Sequence, residues 1–126
     1  MFKRIDHVAF KVKNRAKSIA FYEDNFGFTK YYEHDVPGMD EIKKVIYLKL
    51  GDTVLEFEEW DTDFSNEGYH FCLESDSFDE DIKRLLANNV EMIAPPHTPE
   101  VREKREEGWQ RVLIRGLDNE TIEIRG

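Results

Sequence analysis

The chain has 126 residues, of which 40% are hydrophobic and 36% charged, and its formal net charge is -9. This length predicts one globular domain, residues 1–126, that buries a core without disulfides. The acidic charge argues against nucleic acid and anionic membranes as partners, because phosphate groups would be repelled. No apolar run approaches the length of a membrane span, and the single cysteine, Cys72, is typical of a reducing compartment, so we expect a cytoplasmic protein.

The first half of the chain has the pattern of a strand, a helix and three further strands. Asn14 is suited to cap the helix, and Gly27 is suited to end it. Gly51 and Asp52 predict a hairpin turn between the last two strands. By alternation and helical spacing, strands are predicted over 5–13, 28–33, 45–50 and 53–58, the helix over 15–25 and a loop over 34–41.

The same order of elements restarts after a polar connector at 60–68. Asp76 or Ser77 is suited to begin the second helix, and Leu86 is expected on its buried face. Cys72 is expected to pack as a small hydrophobic residue. Strands are predicted over 69–74, 90–93, 111–115 and 121–125, with a long loop over 94–108.

The two halves, about 1–60 and about 68–126, therefore form a repeat. His7 opens the first half and His70 opens the second, while Glu56 and Glu123 lie in the strand that closes each half. The extra length of the second half falls in the predicted loop over 94–108. A duplicated fold would bring the four side chains to its pseudo-symmetry axis.

The two glutamates are set in apolar strands, Glu123 between Ile122 and Ile124 and Glu56 in the same manner. Neighbours in a strand point to opposite faces, so the glutamates project away from the core layer. Taken singly, each residue has a plainer explanation, a structural histidine or a solvated glutamate. Together, two imidazoles and two carboxylates suit a divalent transition metal with positions left open for substrate. The sequence therefore predicts a metal site made by His7, Glu56, His70 and Glu123.

Three segments carry a family resemblance, namely Ile5-Asp6-His7-Val8-Ala9-Phe10, Ser18 to Tyr22 with Asn25 to Phe28, and Gly116 to Ile124. They resemble the vicinal oxygen chelate superfamily, which includes glyoxalase I, methylmalonyl-CoA epimerase, extradiol dioxygenases, fosfomycin-resistance enzymes and bleomycin-binding proteins. The resemblance implies an α+β fold of two tandem βαβββ modules, whose curled mixed sheets surround a metal-binding cleft. It implies one divalent ion, Zn, Ni, Co, Mn or Fe.

A ligand set of His, Glu, His and Glu is similar to that of the glyoxalase and epimerase branches. The implied activity is that of a glyoxalase I-like lyase or isomerase, in which a small carbonyl substrate passes through a metal-stabilised enediolate. Glu123 is the first choice for the base that moves the proton, and Glu56 is the second. The alternatives are a non-haem metal dioxygenase, which in this superfamily uses two histidines and one glutamate, and a metal-free binding protein of the bleomycin-resistance kind.

Two departures argue against a glutathione adduct as substrate. Lys11 stands where glyoxalase I usually has an arginine, and the turn over 117–120 lacks the usual Asp-Pro-Asp-Gly. The bases of the loop over 95–108, including His97 and Arg102, suggest either an anion-binding lid or a solvated loop. The second interpretation is favoured because glutamates interleave with the bases. By resemblance we expect a homodimer.

Overall fold

The computed structural model describes residues 1 and 3–126, which form two compact units, Met1–Asn66 and Glu67–Gly126. Each unit contains one α-helix and one open four-stranded mixed sheet, in the order strand, helix, strand, strand, strand. The predicted α+β class and the repeat of two βαβββ modules are therefore confirmed.

In the first unit, the strand order across the sheet is β1-β4-β3-β2, with β1 parallel to β4 and the other pairs antiparallel. The first strand begins at Val8, not at residue 5 as predicted. Ile5 is 78% exposed, so the apolar alternation before Val8 does not reflect burial. The elements are β1 Val8–Val12, α1 Arg15–Phe26, β2 Thr29–His34, β3 Ile42–Leu50 and β4 Thr53–Trp60.

Helix α1 begins at the predicted residue, ends one residue later than predicted, and packs its aromatic face on the sheet. The Asn14 side chain accepts a hydrogen bond from the Lys17 amide at 3.0 Å, and Gly27 ends the helix in the left-handed conformation at φ 76°. Tyr22 is fully buried, and its ring lies 5.1 Å from that of Phe57. Burial of such a side chain contributes about 1.5–3 kcal/mol, so this contact fixes the helix on the sheet.

The second unit repeats this arrangement with strand order β5-β8-β7-β6, β5 lying parallel to β8. The predicted loop over 94–108 is wrong in its first part, because β6 continues through Pro95 and Pro96 to His97. Proline is tolerated there because β6 is an edge strand with an irregular register. The elements are β5 His70–Glu74, α2 Phe78–Ala87, β6 Glu91–His97, a 3-10 turn Lys104–Glu106, β7 Arg111–Arg115 and β8 Thr121–Arg125.

Helix α2 buries Phe78, Ile82 and Leu85. The predicted burial of Leu86 is wrong, since this side chain is 53% exposed. Cys72 is also exposed and does not pack in the core as predicted. Neither helix of the described residues combines the length and the apolar character that a membrane crossing requires.

Candidate functional site

The first predicted pair, His7 and Glu56, comes together at one end of β1. Leu55 and Phe57 are buried, so Glu56 projects from the opposite face of β4. The Cα of Ala9 on the parallel strand β1 pairs with that of Glu56, and His7 immediately precedes this strand. As a result, His7 Nε2 lies 3.1 Å from Glu56 Oε2, with the glutamate side chain 13% exposed.

Asp6 orients the imidazole of this pair, and the sequence interpretation did not identify it. Its Oδ2 lies 3.0 Å from His7 Nδ1. The hydrogen bond to His7 holds the pKa of Asp6 below its usual value. With Nδ1 bound to a carboxylate, the Nε2 atom of His7 is the one directed at Glu56, which is the arrangement that suits a metal ligand.

Tyr47 supplies the second contact of Glu56 and was also not identified from the sequence. The antiparallel register places Tyr47 on β3 directly opposite Glu56 on β4. Burial and then the hydrogen bond with Glu56 raise the pKa of Tyr47 to about 12. The phenol is therefore protonated at neutral pH and donates to the carboxylate. The ring of His34 stacks on that of Tyr47, with centroids 5.8 Å apart.

The second predicted pair, His70 and Glu123, has the same form in the second unit. Ile122 and Ile124 are buried, and Glu123 projects from the other face of β8. His70 is the first residue of β5, the strand parallel to β8. Its Nε2 lies 3.3 Å from Glu123 Oε2, and the glutamate side chain is only 9% exposed.

Two arginines surround the other oxygen of Glu123. The Nε atoms of Arg111 and Arg125 lie 3.1 and 3.5 Å from Glu123 Oε1. These contacts are ion pairs, because neither buried Nε has an aligned hydrogen-bond partner within residues 1 and 3–126. The alternation of β7 and β8 places Arg111, Leu113, Glu123 and Arg125 on one face, which is the sequence signal that could have revealed the arginines.

The remaining charged candidates are paired in other ways. Arg105 contacts Glu74 at 2.8 Å and Glu103 at 3.1 Å. Lys11 places its Nζ 3.9 Å from the centroid of the Trp60 ring. Two bases of the loop after β6, Arg102 and Arg105, are thus paired with acids.

The predicted metal donors therefore occur as pairs. Among residues 1 and 3–126, no three His, Cys, Asp or Glu side chains form a group that could hold a metal ion. Each unit taken by itself supplies one imidazole nitrogen and one carboxylate oxygen directed at each other.

A family model described as the Glyoxalase/Bleomycin resistance protein/Dioxygenase superfamily matches residues 4–107. The chain belongs to this superfamily. Members of the superfamily act on small-molecule substrates and are often dimers. No protein of curated function matches the chain in sequence.

Solved structures of the superfamily share this fold. A glyoxalase family protein from Enterococcus faecalis is 23% identical, with a TM-score of 0.81 over 99% of this chain and 98% of that one. The fosfomycin resistance protein FosX from Listeria monocytogenes, complexed with Mn(II) and a sulfate ion, is 20% identical, with a TM-score of 0.76 over 100% and 91%. FosX from Mesorhizobium loti is 16% identical, with a TM-score of 0.72 over 99% and 92%.

The donor chemistry of this chain fits the divalent metal that the superfamily implies. Imidazole nitrogen and carboxylate oxygen together are ligands for Mn, Fe, Co, Ni or Zn. In each unit the histidine Nε2 lies close to the glutamate Oε2, at 3.1 Å in the first unit and 3.3 Å in the second. Neither atom of a pair therefore has to move far for both to bind the same ion.

Proposed function

We propose that this protein is a divalent-metal-dependent enzyme of the glyoxalase type, acting on a small carbonyl substrate. In this proposal His7, Glu56, His70 and Glu123 are the protein ligands of one ion. The observation that carries the proposal is the repetition, in both units, of an imidazole Nε2 facing a carboxylate Oε2 at 3.1 and 3.3 Å. Two such pairs at equivalent places of a repeat are not expected if either one only stabilises its own sheet.

A bound divalent ion would supply Lewis-acid polarisation of the substrate carbonyl. The chain must then supply a carboxylate that removes a proton from the adjacent carbon and returns it. The sequence alone favoured Glu123 over Glu56 as this base, whereas the contacts favour Glu56. Glu56 has a neutral phenol, Tyr47, as its hydrogen-bond donor, whereas Glu123 is the counter-ion of Arg111 and Arg125.

Movement of Glu123 away from these guanidinium groups would separate Arg111 from this carboxylate and leave Arg125 with Glu106 alone, which is costly on a partly buried face. If the Glu56 side chain rotates away, it loses only the hydrogen bond from the neutral phenol of Tyr47. We therefore assign Glu56 as the group that exchanges the proton and Glu123 as the fixed ligand.

The first experiment measures metal binding. Protein purified without chelator is analysed for metal, stripped, and titrated with Mn(II), Ni(II), Co(II) and Zn(II) by calorimetry. We expect one ion per chain, and a loss of affinity of at least about tenfold in His7→Ala and in His70→Ala, since each removes a ligand. His97→Ala is the matched control, because His97 is an exposed histidine on the edge strand β6. If no ion binds after reconstitution, the proposal is wrong and the metal-free binding protein is favoured.

The second experiment identifies the reaction. The metal-loaded protein is incubated with hemithioacetals of small 2-oxoaldehydes and with epimerisable 2-substituted thioesters in deuterated water, and solvent exchange at the reacting carbon is followed by NMR. Deuterium incorporation supports proton transfer. Oxygen consumption with catechols would instead support the dioxygenase alternative, which the second carboxylate ligand disfavours.

A second candidate is modification of fosfomycin, because several structural neighbours are fosfomycin resistance proteins. The observation that favours it is Arg111, a partly exposed cation 3.1 Å from Glu123, which suits a substrate with a phosphonate or carboxylate group. Consumption of fosfomycin in the same NMR assay would support this candidate.

A homodimer in the cytoplasm completes the proposal. The superfamily supports the homodimer. The single cysteine of the chain supports the cytoplasmic location. Light scattering coupled to gel filtration tests the dimer, and a monomer at micromolar concentration would contradict it.

A further inference from the structure

Arg125 joins β8 to the segment that follows β6, which we call the 98–110 segment. It lies two residues after Glu123 on the same face of β8, and its side chain is only 9% exposed. Three different nitrogens of its guanidinium face three different partners. Nη2 donates to the Glu100 carbonyl at 3.0 Å, Nη1 lies 3.7 Å from Glu106 Oε1, and Nε lies 3.5 Å from Glu123 Oε1.

Glu106, in the 3-10 turn of this segment, is a buried acid. Its side chain is 0% exposed, although the surrounding loop is mostly exposed. Arg102 holds both of its oxygens, through Nε at 3.0 Å and through the backbone amide at 2.9 Å. A glutamate is almost never fully buried unless it is paired, so the position of Glu106 depends on its two arginines.

The charges around Arg125 alternate in sign, and the three in the middle of the series, Glu106, Arg125 and Glu123, are buried. Read outward from the segment, the order is Arg102, Glu106, Arg125, Glu123 and Arg111, and each charge contacts an opposite one. Arg125 is the central member and the one that contacts both carboxylates. Its removal would leave two carboxylates directed at the same space on a face with little water, which is strongly unfavourable.

We propose that Arg125 is a positioning residue that couples the order of the 98–110 segment to the orientation of Glu123. The part that concerns metal rests on the proposed function, in which Glu123 is a ligand. The coupling works through one guanidinium. A shift of Glu123 Oε1 moves Arg125, and Arg125 carries the Glu100 carbonyl and the Glu106 carboxylate with it. The segment is thereby fixed when Glu123 is fixed.

The test uses hydrogen–deuterium exchange of residues 100–106 and Mn(II) calorimetry on the full chain. The variants are Arg125→Met and Arg125→Lys, since a lysine keeps the charge but its compact ammonium cannot serve three partners in separate directions. Arg115→Met is the matched control, because Arg115 lies on the adjacent strand β7 and its Nε contacts the exposed Glu91 at 3.7 Å. Circular dichroism confirms that each variant is folded.

We expect exchange in 100–106 to rise at least about tenfold in both Arg125 variants, and Mn(II) affinity to fall by about tenfold, as is typical when the partner of a ligand is lost. In wild type and Arg115→Met, Mn(II) should slow exchange in 100–106, and in the Arg125 variants it should not. Adding Glu106→Gln to Arg125→Met should restore part of the protection, because one of the two facing charges is removed.

Unchanged exchange in folded Arg125→Lys would overturn the proposal. Faster exchange with unchanged Mn(II) affinity would overturn the coupling to Glu123 and leave the proposed function intact. If wild type itself binds none of Mn(II), Ni(II), Co(II) and Zn(II), the proposed function fails together with the metal part of the coupling. The exchange of the metal-free variants then decides whether Arg125 holds the segment.

Discussion

Replacement of Glu56 or Glu123 by glutamine removes the same charge from two different surroundings, and the two variants should differ in stability. Glu123 is 9% exposed and faces two guanidinium groups. Removal of one partner from a buried ion pair costs about 3–5 kcal/mol. Glutamine keeps one carbonyl oxygen, and Arg125 retains Glu106, so we expect about half of that cost, roughly 2 kcal/mol.

Glu56 faces a neutral phenol and a histidine that is 38% exposed. The amide oxygen of glutamine can still accept the hydrogen bond from Tyr47. No desolvated cation is left behind, so the expected loss in Glu56→Gln is about 0.5 kcal/mol or less, as for a substitution outside a buried ionic network.

Urea unfolding in buffer with EDTA measures this difference without any contribution from metal. We expect Glu123→Gln to unfold at a clearly lower urea concentration than Glu56→Gln, with unchanged m values. Glu58→Gln is the matched control for β4, because Glu58 accepts a hydrogen bond from Trp60 Nε1 at 2.9 Å and is not a predicted ligand. If Glu56→Gln is as destabilised as Glu123→Gln, the contrast between neutral and cationic surroundings is refuted.

The same pair of variants distinguishes base from ligand. Glu56→Gln should lose turnover by orders of magnitude beyond its loss of Mn(II) affinity, whereas Glu123→Gln should lose both in proportion. The opposite result would return the role of the base to Glu123.

Three further outcomes are expected. Asp6→Asn should weaken Mn(II) binding by up to about tenfold through the orientation of His7, without a change in the urea midpoint; an equal affinity would mean that Asp6 does not orient the ligand. Tyr22→Ala should lose about 3–5 kcal/mol in urea unfolding, because a fully buried ring is removed, while Tyr22→Phe should lose far less. Arg102 lowers the pKa of Glu106 to about 2 from its usual 4.5, so its stabilising effect is present above about pH 4.5 and is lost as the pH falls toward 2. Glu106→Gln should therefore be less stable at neutral pH and show a flatter acid profile, and parallel profiles would contradict this.

The elements and the two donor pairs were accessible from the sequence because both depend on short-range patterns. The strands over 111–115 and 121–125 have the predicted boundaries, since 121–125 alternates apolar and polar residues and 111–115 is a short apolar run between two arginines. The glutamates were identified for the same reason, as charges between two buried neighbours. The repeat then predicted that each glutamate lies near a histidine that is far away in the chain. A local pattern cannot make that prediction.

The residues around the pairs were not accessible, because they depend on register between strands. Tyr47 contacts Glu56 only because β3 and β4 pair with these two residues opposite each other. Glu106 appeared to be one of several interchangeable acids in a charged loop. Its burial arises from the arrangement of Arg102 and Arg125, which a sequence pattern does not specify.

The repeat preserves the histidine–glutamate pairs and changes their neighbours, and this difference separates the roles that we propose for the two halves. The strand position opposite the glutamate is Tyr47 in the first half and Leu113 in the second. Two residues after the glutamate, the first half has Glu58 and the second has Arg125. Glu56 therefore lies beside a neutral donor and a like charge, while Glu123 lies in a buried ionic chain. A carboxylate with no cation to neutralise is the one free to change partners during a reaction, and one that balances two arginines is suited to remain in place.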